Sequence, residues 1–297
     1  MKVKIFCLVV LLGVFSSTEA QRWKRYRWET IYGIGMSNFL GELGGANQVG
    51  TDYMKDFDWK AIRPALMVGM RFKQTQQISH KVNLTLAYLA GNDQWTEDPI
   101  RFSRNLNFRS PLVEIGYNFE FYLKKEKRGH RFKLRGVRGL RSMGLYPYGF
   151  FGVSGFFFSP QGNVDGSWEW LKKHSTEGQG ISSTRPEYSR FQLAIPLGVG
   201  VKYAVDRRWL ISIEYGMRKT FTDYIDDVSS TYFPNNIIEA ERGSIAALAA
   251  DPTQGSWVGA KSYQQRGDPT DNDSYLFLII GANYKLKTTR SGRPKFR

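Results

Sequence analysis

A repeated alternation of apolar residues with small or polar ones constrains this chain more than any other feature. From Trp209 the odd positions read Trp209, Ile211, Ile213, Tyr215 and Met217, and the even ones Leu210, Ser212, Glu214, Gly216 and Arg218. From Phe191 the odd set is Phe191, Leu193, Ile195, Leu197, Val199, Val201 and Tyr203. Gln192, Ala194, Pro196, Gly198, Gly200 and Lys202 lie between them. Val82, Leu84, Leu86 and Tyr88 alternate with Lys81, Asn83, Thr85 and Ala87. Val113, Ile115, Tyr117, Phe119 and Phe121 alternate with Glu114, Gly116, Asn118 and Glu120. Near the end Leu276, Leu278, Ile280, Ala282 and Tyr284 oppose Gly281, Asn283 and Lys285. Weaker runs cover 28–40, 62–72 and 146–158, the last rich in Phe and Gly and without a clear phase. Period two is the signature of a strand with one apolar face, and about eight such strands of about ten residues are predicted.

Two architectures fit. A soluble sandwich or barrel turns the apolar face inward, whereas an outer-membrane barrel turns it toward lipid. The polar faces decide, because they carry Gly, Ser, Asn and a few charges rather than the dense charge of a solvated surface. Such residues suit the cramped interior of an eight-stranded barrel, which side chains fill. The expected fold is all-β, an antiparallel up-and-down transmembrane β-barrel of eight strands with long extracellular loops. Arg63, Arg71, Glu114, Glu120, Glu214 and Arg218 are the expected lumen charges. They must neutralise one another, since an unpaired buried charge is costly.

Connection lengths agree with this fold. With the N-terminus periplasmic, 73–80 and 204–208 are short turns, while 41–61, 91–108, 159–189 and 219–273 are long outer loops. Segment 124–145 alone breaks the rule. Aromatics expected to face outward at the periplasmic strand ends are Trp28, Phe72, Phe121, Tyr148, Tyr203, Trp209 and Tyr284, where an interfacial girdle belongs. The discord is Pro196, in mid-strand where a closed barrel has no edge; a bulge is expected there.

Lys2 and Lys4, the apolar run 5–15 and the small Ala20 read as a cleaved signal peptide over 1–20, leaving a barrel domain over 21–297. The only cysteine, Cys7, falls inside that leader. Disulfides and cysteine metal sites are therefore not expected in the mature chain. The 297 residues carry a net charge of +15, which by itself suggests nucleic acid. The charge is uneven, however: +8 over 124–145, +4 over 22–27 and +6 over 285–297, against −2, −1, −1 and −5 on the four outer loops. The basic residues gather at the predicted periplasmic end, so nucleic acid is not expected. Attraction to acidic lipid headgroups, about 1 kcal/mol per basic residue, is one use of such a patch. Docking of a periplasmic protein is the other. Candidate partner-binding residues are Lys124, Lys125, Lys127, Arg128, Arg131, Lys133, Arg135, Arg138, Arg141, Arg290, Arg293 and Lys295.

Catalytic chemistry is not evident. His80, His130 and His174 lack metal-ligand spacing, and no nucleophile elbow, phosphate loop or metalloprotease motif occurs. No catalytic residue, metal, cofactor or small-molecule substrate is expected. Outer-loop interaction candidates are Thr176, Glu177, Gln179, Phe221, Asp223, Tyr224, Asp226 and Asp227. For the three aspartates, a solvated acidic loop is favoured over a barrel protease or a calcium site. A short helix is expected within 237–250.

Several stretches resemble the PorG-like family of Bacteroidetes outer-membrane barrels, which serve the type IX secretion system. They are 35–44 (GMSNFLGELG), 104–111 (RNLNFRSP), 176–180 (TEGQG), 195–203 (IPLGVGVKY) and 214–230 (EYGMRKTFTDYIDDVSS), then 265–268 (QRGD) with Asp271, Asp273 and Tyr275. Segment 124–145 is longer and more basic than the family pattern. The resemblance implies a non-enzymatic outer-membrane protein of protein secretion. Its partners would be outer-membrane lipid and a periplasmic ring made of a lipoprotein and its partner. A small porin or transporter is the competing class, and an outer-membrane hydrolase a distant third.

Overall fold

The computed structural model describes residues 22–43, 59–96, 98–126, 144–206, 208–254, 259, 261–289 and 292–296. The expected signal peptide (1–20), Lys127, Arg128, Arg131, Lys133, Arg135, Arg138, Arg141 and Arg290 lie outside the described residues. The first strands are β1 (Trp28–Leu40), β2 (Arg63–Lys73), β3 (Ile78–Asn92), β4 (Asn107–Tyr122) and β5 (Leu145–Phe158). A small hairpin, β6 (Gln161–Val164) and β7 (Ser167–Trp170), precedes β8 (Phe191–Ala204), β9 (Trp209–Thr220), β10 (Ser274–Thr288) and the short β11 (Pro294–Lys295).

The eight long strands pair in the order β3-β2-β1-β10-β9-β8-β5-β4, and β3 pairs with β4 to close the ring. Every neighbour is antiparallel. This is the eight-stranded barrel fold of outer-membrane proteins. Its strands run from 11 to 16 residues, enough for the roughly 9–11 needed to cross a bilayer. Among the described residues no helix is long and apolar enough to cross one.

Alternation decides which residues face out. Ile34, Ile115 and Leu197 are more than 60% exposed, each flanked by inward-facing neighbours. The outer surface is thus a continuous apolar belt, and a water-facing barrel has no reason to carry one. Strand β5, whose phase the sequence left open, turns Tyr146, Tyr148, Phe150, Ser154, Phe156 and Phe158 inward. Tyr148 therefore does not belong to the girdle; it is 2% exposed and its hydroxyl donates to Glu214 Oε2 at 2.9 Å. The reason lies in β8. A Cβ on Gly200 would meet the Tyr148 ring at 2.4 Å, and one on Gly198 would meet Phe150 at 2.5 Å. The Gly198-x-Gly200 pair opens the room that these two rings fill.

The remaining girdle residues gather at the end bearing the chain termini. Trp28 meets Phe72 with ring centroids 4.9 Å apart, and Trp209 meets Tyr284 at the same separation. On β3, where no girdle aromatic is expected, His80 takes the position and bonds the Tyr117 hydroxyl at 2.7 Å.

The bulge expected at Pro196 is absent. Pairing of β8 with β9 runs unbroken from Ala194↔Thr220 to Ala204↔Leu210. On the other side, Phe151↔Leu197 and Ser154↔Ala194 keep one register, with the two intervening pairs missing. The proline is absorbed by a short gap in one ladder, not by an inserted residue.

Connections at the terminal end are the turn 74–77, the segment 123–144 and the turn 205–208. The loop end holds 41–62, 93–106, 159–190 and 221–273. The helix expected over 237–250 is two helices, Asn235–Arg242 and Ser244–Ala250. Gly243 separates them at φ 91°, which a residue with a Cβ rarely adopts.

Candidate functional site

Two polar clusters occupy the barrel. The first fills the lumen toward the terminal end. Arg71 donates through Nε and Nη2 to the two oxygens of Glu120 (2.6 and 2.9 Å), and through Nη1 to Glu29 Oε2 and Asn283 Oδ1 (3.0 Å each). Glu29 is also paired with Lys73 at 2.6 Å and Lys202 at 3.0 Å. Lys81 donates to Glu214 Oε1 at 2.5 Å, and the Tyr122 hydroxyl donates to Glu120 Oε2 at 2.7 Å. Nearer the loop end Arg218 pairs with Glu114 at 3.2 Å, and Tyr275 donates to Glu114 Oε2 at 2.8 Å. With Tyr148 of β5, which donates to Glu214, these side chains come from every strand of the ring, so the network forms only in the closed barrel.

Of the expected lumen charges, Arg71, Glu114, Glu120, Glu214 and Arg218 lie within this network. Arg63 does not. It sits at the loop end of β2, where Nη1 donates to the carbonyls of Ile62 (2.7 Å) and Lys60 (3.0 Å) and the guanidinium lies over the Trp95 ring. Glu29, Lys73, Lys81 and Lys202 were missed. Lys81 and Lys202 already stood on the polar side of their alternations, which was the available signal.

Just below the lumen, Lys73 and Lys285 both donate to Glu126. Against the cost of burying it, these two ammonium groups hold the Glu126 carboxyl down at about 2. Glu126 is the only acid in 124–145, and these two lysines take it up. Lys124, Lys125, Arg293 and Lys295 are exposed. Lys285 is buried and directed inward, so the basic tail available at the surface begins after it. That tail folds back, with Lys287 opposite Lys295 and the Gly292 carbonyl accepting from Trp28 Nε1 at 2.9 Å.

The second cluster caps the loop end. Glu177, 0% exposed, accepts from the Ser229 and Ser230 backbone N–H groups (3.0 Å each) and from Arg266 Nη1 (2.9 Å). Asp227 accepts from the Thr176 hydroxyl (2.5 Å) and the Tyr188 hydroxyl (2.7 Å). Gln179 accepts from the Glu177 N–H at 3.0 Å, and Tyr224 stacks on Tyr188 with centroids 4.8 Å apart. Arg104 clamps Asp93 with two bonds and reaches the Arg266 carbonyl at 2.5 Å. Thr176, Glu177 and Asp227 are therefore buried ties between the third and fourth outer loops, Gln179 braces the third from within, and Asp226 joins the fourth to Leu43 of the first; they are not groups presented to a partner. Among the outer-loop candidates Phe221 is exposed. The aspartates are not a solvated acidic loop either.

Beside these ties lies an acidic knot. Glu42, Asp223 and Asp273 each bring a carboxylate oxygen within 4.8 Å of the others. Asp226 is fully buried nearby, its carboxylate accepting from the N–H groups of Leu43 (3.1 Å) and Val228 (3.0 Å). Burial and the charges of Asp226 and Asp223 push Glu42 up to about 10. Burial, with Asp226 and Glu177 adding to it, takes Asp223 to about 8. Burial raises Asp226 to about 7 and Asp227 to about 6, partly offset at both by the Arg266 guanidinium. Asp273 is held well above the usual carboxylate range by burial and by Asp226, Glu42 and Asp223.

The sequence profile of DUF6089, a domain of unknown function, matches residues 3–242. The chain belongs to this family. Curated proteins contain no match to it. Among solved structures, OprG, an outer membrane protein of Pseudomonas aeruginosa, is 10% identical over 89% of this chain and 98% of its own, with a TM-score of 0.41. Neisserial surface protein A is 11% identical over 87% and 97%, with a TM-score of 0.36. Ail, the attachment invasion locus protein of Yersinia pestis, is 9% identical over 88% and 99%, also at 0.36, in a complex with a heparin analogue. The closed barrel of the DUF6089 chain rests on its own strand register, not on these likenesses.

Proposed function

We propose that this DUF6089 barrel sits in the outer membrane and anchors a periplasmic assembly through its basic, terminus-bearing end. The observation that carries this reading is the sequestration of Glu126. Lys73 and Lys285 bind the one acid of 124–145, and exposed Lys124, Lys125, Arg293 and Lys295 have no acid paired with them among the described residues. The apolar belt is the surface for lipid. The basic end then faces the periplasm and the negative loops face outward.

The resemblance to PorG-like barrels makes the finer assignment a non-enzymatic component of type IX secretion. On that assignment the acidic surface to be docked belongs to a periplasmic ring of a lipoprotein and its partner. The filled lumen supports an anchor over a porin or transporter. Arg71, Lys81, Glu114, Glu120 and Lys202 are 0–1% exposed, and a water-wide channel would expose them.

Capture of periplasmic ring components from envelopes by the intact chain tests the reading. Replacing the Lys and Arg residues of 124–141 with Gln should reduce capture, most at low salt. Capture undiminished at low and moderate salt overturns the docking role, and steady conductance of the purified chain in planar bilayers turns the assignment to a pore.

A further inference from the structure

The acidic knot at the barrel mouth differs from the two buried acid–base pairs beside it. Asp93 has Arg104 and Glu177 has Arg266. The charges that act most strongly on Glu42, Asp223 and Asp273 are other carboxylates. Burying several acids together without a cation is a large electrostatic cost.

The hydrogen bonding is also incomplete. Asp273 is 1% exposed; its Oδ2 accepts from the Ile225 N–H at 2.8 Å, while its Oδ1 has no hydrogen-bond partner among the described residues. Glu42 accepts from the Asp268 N–H at 2.9 Å through Oε1, and its Oε2 has none among the described residues. A buried oxygen without a donor calls for an explanation such as an ion. The backbone makes room for the approach. A Cβ on Gly41 would lie 2.2 Å from Asp273 Oδ1, so the chain at this glycine passes close beside that oxygen.

We propose that Glu42, Asp223 and Asp273 bind a calcium ion that clamps the first outer loop to the last across the barrel mouth. The donors are all hard oxygens, as calcium prefers. Two ligands on opposite sides of one calcium ion are about 5 Å apart, since each sits at about 2.3–2.6 Å. The spread of at most 4.8 Å meets that limit without rearrangement. Magnesium, at about 2.1 Å, tolerates only about 4.2 Å and demands a regular octahedron. Calcium-binding modules outside cells work at about 0.1–1 mM, and weak binding suits a loop clasp in that range. Glu42 follows β1, Asp223 follows β9 and Asp273 immediately precedes β10, so one ion ties together the ends of three adjacent strands.

The test uses the chain refolded free of lipopolysaccharide, which binds calcium itself, and stripped with a chelator. Calcium chloride titrated by calorimetry should give saturable binding near one ion per chain, about tenfold tighter than magnesium. Proteolysis of the outer loops should slow when calcium is added. Glu42→Gln and Asp273→Asn should lose both responses, while Asp271→Asn, on an exposed acid paired with Lys219, keeps them. A gel-mobility assay for the folded barrel confirms that each variant closed. Absence of calcium binding by the intact chain overturns the proposal whatever the variants do, and so does undiminished binding by both folded variants.

Discussion

The two polar clusters of this barrel solve opposite problems. In the terminal half of the lumen, acids and bases are interleaved: Glu29 alone contacts Arg71, Lys73 and Lys202, and Arg71 contacts two glutamates. At the mouth, Glu42, Asp223, Asp226 and Asp273 face one another. Both regions are buried. The first satisfies its charges within the barrel wall; the second holds protons or takes a cation from outside. Burial alone does not say whether a charged cluster is stable; the balance of sign inside it does.

The largest expected effect tests the balanced cluster. Glu29→Gln leaves three cations buried around a neutral amide, and we expect a loss of about 3–5 kcal/mol in urea unfolding of the vesicle-folded barrel. A loss below about 1 kcal/mol would mean that water already screens the lumen.

Next comes the mouth, where bases are scarce. Arg266 donates to Glu177 and to the Asp227 carbonyl from a fully buried position. Arg266→Gln should cost about 2–4 kcal/mol. The loss should appear as faster amide exchange over 223–232, with the barrel strands unchanged.

The response to pH should have opposite signs at the two ends. At the mouth the folded carboxyls sit above their unfolded values, so the folded state holds more protons there. Their contribution is complete below about pH 4 and is lost as pH rises through about 6 for Asp227, 7 for Asp226 and 8 for Asp223. Glu126, held down at about 2, contributes above its unfolded value and loses that contribution as pH falls from about 4.5 toward 2. Amide exchange in chelator should therefore show the loops around 223–228 less protected at pH 9 than at pH 5, and the segment around 123–126 less protected at pH 3 than at pH 6.

A smaller effect separates the clusters by substitution. Asp223→Asn in chelator should raise stability at pH 9 by about 1 kcal/mol and leave it unchanged near pH 3, where the carboxyl is protonated in the folded and the unfolded chain alike. In the lumen, removing an acid strips a buried cation of its partner; in the knot at the mouth, removing Asp223 relieves repulsion at high pH. The smallest effect lies between the clusters. Pro196→Ala, beside the gap in the β5–β8 ladder, should change unfolding by less than about 1 kcal/mol.

Much of the barrel was legible because a strand's period of two writes its faces directly into the chain. The runs through Phe191–Ala204 and Trp209–Thr220 show their outward residues without ambiguity. β5 was illegible for a physical reason. Tyr148 and Phe150 inside, and Phe151 and Val153 outside, are equally apolar, so hydrophobicity carries no phase there. The balanced cluster was half legible, since Lys81 and Lys202 stood on polar faces, but their partners depended on which strands became neighbours.

The sequence by itself determined strand number, the direction of the faces on the long strands other than β5, the short and long ends and the gathering of basic charge at one of them. These are local properties of alternation and spacing. Only the tertiary structure decided that the TEGQG and DYIDD loops are buried ties, that Glu126 is captured by Lys73 and Lys285, and that Glu42, Asp223 and Asp273 meet. Closing the ring sets β10 between β1 and β9, and this brings together carboxylates that lie far apart along the chain. No pattern of neighbours in sequence encodes that meeting, because strand pairing around a closed circle creates it.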